Sequence, residues 1–164
     1  MAESSGTTTQ LGIRYQNSVA ALYLGRLCAS EAYPDHDQPE EVRVEAPDYV
    51  DDIVIRYLDG HHDWIQVKGS LHRATKEWNG LWQAFDKQFW YARFNRGSDN
   101  LVLVVGETTE TFRDLNELCK RARGATDLAE WQGSLNNMHR NLVGDIVPRL
   151  DPNQGFFAHR TGKV

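Results

Sequence analysis

The sequence predicts a mixed α/β domain whose elements run helix, three strands, helix, strand, helix, with further helix at the end. Three observations carry that prediction. A helically spaced apolar pattern opens the chain, two β-branched runs flank an Asp-Gly turn, and a continuous apolar run, "NLVLVV", sits between two segments of helical period. At 164 residues the chain fits one domain, large enough to bury on the order of 70% of its unfolded surface.

Residues 1–10, "MAESSGTTTQ", are polar and small and read as a disordered N-terminus, leaving 11–164 as the folded domain. From Gly12, the residues Ile13, Val19, Ala20, Leu22, Tyr23, Leu24 and Leu27 keep helical spacing to about Cys28, which predicts a helix with a wide apolar face. Pro34 and Pro39 break the following stretch into a loop, and "EVRVEA" predicts a short strand over Val42 to Ala46.

"DDIVIRYL" and "DWIQVKG" then form a hairpin around Asp59-Gly60. The segment from Lys76 to Phe94 places Trp78, Trp82, Phe85 and Phe89 three or four residues apart, so a helix with an aromatic, core-facing stripe is expected. "NLVLVVGE" suits a fully buried strand. "TTETFRDLNELCKRAR" begins with a Thr/Glu capping pattern and continues as helix. More helix is expected from Asp127 to Val143, with loop after Pro148.

Composition narrows the function classes. Apolar residues at 40% and charged residues at 25% are ordinary globular usage, and no apolar run approaches the ~20 residues of a membrane span. Cys28 and Cys119 lack any ligand spacing and lie in apolar helical patterns, which predicts core thiols in a reducing, cytoplasmic setting. The net charge of -5 speaks mildly against a polyanionic partner. Its distribution qualifies that: residues 31–63 hold eleven Asp/Glu against Arg43 and Arg56, whereas residues 64–164 carry a small basic excess. An acidic patch beside a mildly basic body suits a site that gathers a divalent cation.

The chemistry concentrates in "VDDIVIRYLDGHHDWIQVKGS". Asp51 or Asp52 opens one strand, and Gln66 and Lys68, two apart, point to one face of the next. A carboxylate, the Gln66 amide oxygen and a backbone carbonyl such as that of Val67 can hold Mg²⁺ or Mn²⁺. The cation would activate a water while Lys68 positions it and steadies developing charge in phosphodiester hydrolysis. His61 and His62 sit at the hairpin turn without a third zinc ligand in register. Arg73, Lys76 and Lys87, with Arg93 and Arg96, are candidate phosphate contacts that would hold DNA without reading its sequence.

A helix containing "GIRYQNSVAALYLG", the strand "VDDIVI" and "WIQVKG" ahead of a helix resemble the PD-(D/E)xK nuclease superfamily, in its variant with Gln in place of the acidic residue. More narrowly, they resemble the N-terminal double-stranded DNA endonuclease domain of bacterial anti-phage effectors, joined to SAVED sensors of CBASS or to STAND NTPases. The likeness spans Gly12 to Arg123. It implies a restriction-endonuclease-like αβββαβ core with a central mixed sheet flanked by helices. It also implies a metal-binding Asp, with Asp51 favoured over Asp52, Gln66 at the usual acidic position, and Lys68 as the motif lysine. Gln16 and Glu45 would be accessory. The partners implied are double-stranded DNA, a sensor or oligomerisation domain beyond Val164, and further copies of the chain when active. With Gln66 in place of a carboxylate the site loses one negative charge, so a nuclease-like module without catalysis, serving oligomerisation or DNA recruitment, is the alternative. A zinc or small-ligand domain centred on His61 and His62 is a third reading.

Overall fold

The computed structural model of the chain describes residues 4–29 and 38–150, with backbone alone at 4–9. In order, the elements are α1 (Ser4–Cys28), β1 (Pro39–Val44), β2 (Ile53–Tyr57), β3 (His62–Lys68), α2 (Lys76–Trp90), β4 (Asn100–Val105), α3 (Glu110–Gly124), α4 (Leu128–Gly133) and α5 (Asn137–Ile146), closed by a 3₁₀ turn (Val147–Arg149). This is the order expected from the sequence. The described residues divide into two compact units, one within Met1–Ser70 and Lys87–Glu107, the other within Leu71–Asp86 and Thr108–Val164.

The first unit is built on one four-stranded sheet in the order β1-β2-β3-β4. β1, β2 and β3 are antiparallel neighbours, and β4 runs parallel to β3, pairing Gln66 with Leu103 and Lys68 with Val105. Parallel pairing requires a crossover, and α2 lies within it. Gly60, at φ +87°, makes the Asp59-Gly60 turn that a side chain would strain. One sheet face carries Ile53, Ile55, Tyr57, Ile65 and Val67, which pack with Ala20 and are flanked by Tyr15, Val19 and Tyr23 of α1. By alternation, the opposite face carries Val54, Arg56, Trp64, Gln66 and Lys68.

Several elements depart from the sequence expectation. α1 starts at Ser4, taking in residues 4–10, because extending a formed helix costs far less than nucleating one; residues 1–3 lie outside the described residues, as do residues 30–37 of the expected loop over 29–41. Only a narrow seam of α1 is buried. Leu11, Ile13, Leu22 and Leu24 remain exposed, since a helix lying on a sheet covers one stripe of its surface. Cys28 and Cys119 are exposed and not disulfide-bonded, so neither is a core thiol; Cys28 ends its helix and Cys119 falls outside the Leu115 and Leu118 stripe of α3.

β1 begins at Pro39 and stops at Val44 because Glu45 turns into the left-handed region at φ 53°. β4 is half-buried along Leu101–Val105, being an edge strand paired on one side. The helix predicted across Asp127 to Val143 is two helices, because Asn136 accepts from the His139 N–H at 2.8 Å and starts a new one.

In the second unit, Trp78, Leu81 and Phe85 are buried and Trp82 half-buried, with edge-to-face contacts from Trp78 to Trp82 and from Trp82 to Phe85. The aromatic stripe is core there. Thr109 caps α3 through the Phe112 N–H, and α3 packs on α4 and α5 around Leu115, Leu118, Leu142 and Ile146.

Candidate functional site

The β2–β3 register decides which aspartate meets the Gln-Val-Lys segment. Ile53 pairs with Ile65, so the next residue out, Asp52, lies opposite Gln66 and shares its face of the sheet. Gln66, buried at 6% exposure, donates its side-chain amide to Asp52 Oδ2. The same oxygen accepts the Val67 N–H at 2.7 Å. Asp51, favoured from the sequence, has the opposite parity: its side chain is exposed, and its main-chain carbonyl accepts the Ala46 N–H at 2.8 Å.

Asp52 is fixed through its backbone as well. Its carbonyl accepts Gln16 Nε2 at 3.1 Å from α1 and the Glu45 N–H at 3.0 Å. Gln16 and Glu45 therefore gather at Asp52, Glu45 through its main chain with its side chain exposed. A non-glycine residue at φ 53° stores on the order of 1–3 kcal/mol, held by its neighbours. The strain sits where it sets the Asp52 carbonyl.

Burial holds the Asp52 carboxyl above the ordinary carboxylate range and the Asp51 charge adds to that; the Val67 N–H, Lys68 and the Gln66 amide pull it back down. Lys68, half-buried at the last position of β3, acts on Asp52 as a nearby charge. The Lys68 carbonyl accepts the Gly106 N–H at 2.9 Å, and a β-carbon on Gly106 would come within 2.8 Å of the Gly69 carbonyl oxygen. Glycine at 106 thus lets the chain pass beside the lysine.

Sequence reasoning missed Gln88. It is fully buried near the end of α2, and its Oε1 accepts the N–H groups of Tyr49 and Val50 at 3.1 and 3.2 Å. These two bonds hold the segment leading into Asp51-Asp52. No spacing or composition signal marks Gln88.

The candidate cations fall in both units. Arg73 pairs with Asp145 at 3.3 Å and Lys76 is exposed at the start of α2, both in the second unit. Lys87 lies in the first unit, its ammonium 5.8 Å from the Tyr49 ring centre. Arg93 pairs with Asp48 at 3.2 Å, and Arg96 lies over Trp90. His61 pairs with Asp59 and stacks on Tyr57, while the His62 N–H donates to Asp99 at 2.9 Å. Among the described residues no three His, Cys, Asp or Glu side chains converge as a metal site, so any cation at Asp52 depends on amide and backbone oxygens. No helix among the described residues is long and apolar enough to cross a membrane.

These residues fit a hard divalent cation in kind. Both hydrogen bonds to the Asp52 carboxylate end on Oδ2, leaving Oδ1 as an anionic ligand. The Val67 N–H faces Asp52, and in a strand a residue's C=O faces the same neighbour. Rotating the Gln66 amide would present its oxygen in place of its NH₂. Comparison with protein-family models, curated proteins and solved structures finds no match in any of the three.

Proposed function

We propose that the chain is a metal-dependent endonuclease domain with a restriction-endonuclease-like core, hydrolysing phosphodiester bonds of double-stranded DNA with little sequence preference. The observation that carries this reading is the meeting of Asp52, Gln66 and Val67 at one end of the β2–β3 pair, with Lys68 next along the strand. The three-strand meander joined in parallel to β4 after a helix supports the same reading.

Asp52, the Gln66 amide and the Val67 carbonyl would hold Mg²⁺ or Mn²⁺, which when bound lowers the pKa of a ligated water and neutralises phosphate charge. Lys68 orients the attacking water and stabilises charge on the phosphoryl oxygens. Gln16 and Glu45 fix the Asp52 backbone. With one carboxylate in the set, affinity for the cation is low until substrate phosphate adds ligands. By its resemblance to anti-phage effectors, the domain acts in the bacterial cytoplasm as the DNA-degrading part of a defence protein, switched on by clustering through a sensor module.

The second reading, a nuclease-like module without catalysis, is favoured by one contact: the Gln66 amide already rests on the carboxylate that would take the metal. Plasmid cleavage with Mg²⁺ or Mn²⁺, across protein concentrations from dilute to self-associated, separates the two. Metal-dependent nicking that Lys68→Ala abolishes supports the endonuclease; intact plasmid at every concentration supports the module.

A further inference from the structure

Beside the aspartates lies a surface that the cation chemistry leaves unused. Tyr49 and Tyr91 are 48% and 36% exposed, their rings meeting edge to face with centres 5.4 Å apart. With Pro47 and Asp48 they line a surface cavity of about 240 Å³, and the Lys87 ammonium stands 5.8 Å from the Tyr49 ring centre. All of these residues belong to the first unit.

The segment that presents Tyr49 is held along its length. Glu45 and Ala46 donate N–H groups to the carbonyls of Asp52 and Asp51, and Tyr49 and Val50 donate theirs to Gln88. Both Asp48 oxygens accept from Arg93, and Val50 is fully buried. An exposed ring on a fixed loop loses little freedom when it binds. Tyr23 and Tyr57, by contrast, pack in or against the core.

We infer that Tyr49 and Tyr91, with the Lys87 ammonium over the Tyr49 ring, form a stacking platform for an unpaired nucleobase of the substrate, at a strand end, a nick or an opened duplex. This rests on the endonuclease reading and sharpens its substrate to DNA with unpaired bases near the cut. Aromatic faces stack on any base, which suits binding without sequence preference. A base, rather than a phosphate, meets the rings, because aromatic faces offer a stacking surface, and the Asp48 charge beside them is taken by Arg93. Lys87 supplies the cation for the phosphate of the stacked nucleotide. Three residue-to-residue steps, spanning at most about 10 Å, lead from Tyr49 to Asp52, so the stacked base belongs to a nucleotide flanking the cut.

The test is fluorescence anisotropy of a labelled short single-stranded oligonucleotide, with chelator present, against one of equal length carrying abasic sites. Wild type is expected to bind the intact strand about tenfold more tightly than the abasic one. Tyr49→Ala and Tyr91→Ala should each lose about that factor on the intact strand and little on the abasic one, whereas Tyr49→Phe should stay within about twofold of wild type. Equal affinity of wild type for both strands, no binding of either, or a folded Tyr49→Ala that binds like wild type would overturn the inference. Should the alanine variants fail to fold, the abasic comparison on wild type and the Tyr49→Phe result still decide it. Because no metal is present, a protein that stacks bases yet never cuts refutes the endonuclease reading alone, and one that cuts yet ignores bases refutes this inference alone.

Discussion

Gln66 donates its side-chain amide to the carboxylate of Asp52, across the β2–β3 pair and on the sheet face opposite α1. This contact joins the two halves of the acidic hairpin and sets Asp52, rather than Asp51, against the Gln-Val-Lys segment.

Asp52→Asn should reduce metal-dependent plasmid nicking by on the order of 10²-fold or more, because it removes the one carboxylate in the donor set. Asp51→Asn, at an exposed side chain, should stay within about threefold of wild type. Nicking rates of the two variants side by side check the assignment, and the reverse order would reinstate Asp51.

The fold was legible where patterns were long. The helix periods of α1, α2 and α3, the Asp-Gly hairpin and the apolar run of β4 fixed the element order. The choice of aspartate was not legible, since it depends on a one-residue register that moves every side chain to the other face, and two adjacent aspartates satisfy either. Glu45, expected as an accessory ligand or ligand-orienting residue, contributes its main-chain N–H, through a backbone conformation that no propensity favours. Gln88 goes unmarked and the cysteines are expected in the core for a shared reason: an apolar pattern says that a helix is partly covered, not which edge residues are covered or what a buried amide will meet.

Burial raises the Asp52 pKa, so the folded state holds that proton more tightly than the unfolded chain does. The stability this group contributes is present below the ordinary carboxylate range and is lost as pH rises through the raised value. Ionised Asp52 therefore costs stability at neutral pH. Asp52→Asn should raise Tm relative to wild type at pH 7, with the gap closing toward pH 4. Thermal melts in chelator at the two pH values check this; a gap that widens in acid would show that the carboxylate is stabilised by its donors instead.

Gln66→Glu places a second carboxylate against Asp52 Oδ2 and removes the donor it now has. In chelator this should cost about 1–3 kcal/mol, since a buried charge loses its partner and gains a repeller. Tm should fall by roughly 2–10 °C for a chain of this size. Added Mg²⁺ or Mn²⁺ should recover more stability in the variant than in wild type, because two carboxylates bind a divalent cation more tightly than one. Melting curves with and without metal read both effects, and a variant indifferent to metal would argue against a cation at this place.

Gly106→Ala drives a β-carbon to 2.8 Å from the Gly69 carbonyl oxygen, in the strand pairing that holds the Lys68 carbonyl. Overpacking of this kind costs about 1–3 kcal/mol. Denaturant melts should show that loss, together with reduced nicking as Lys68 shifts. An unchanged midpoint would mean that the Gly69–Gly106 pairing yields to a methyl group at little cost.

Cleavage of supercoiled plasmid by the purified protein in Mg²⁺ or Mn²⁺, wild type beside Lys68→Ala, tests the central claim most directly. The endonuclease account predicts nicked and linear products from wild type, none in chelator, and none from a Lys68→Ala protein that melts like wild type. Intact plasmid with wild type at every concentration, or equal cleavage by Lys68→Ala, would contradict it.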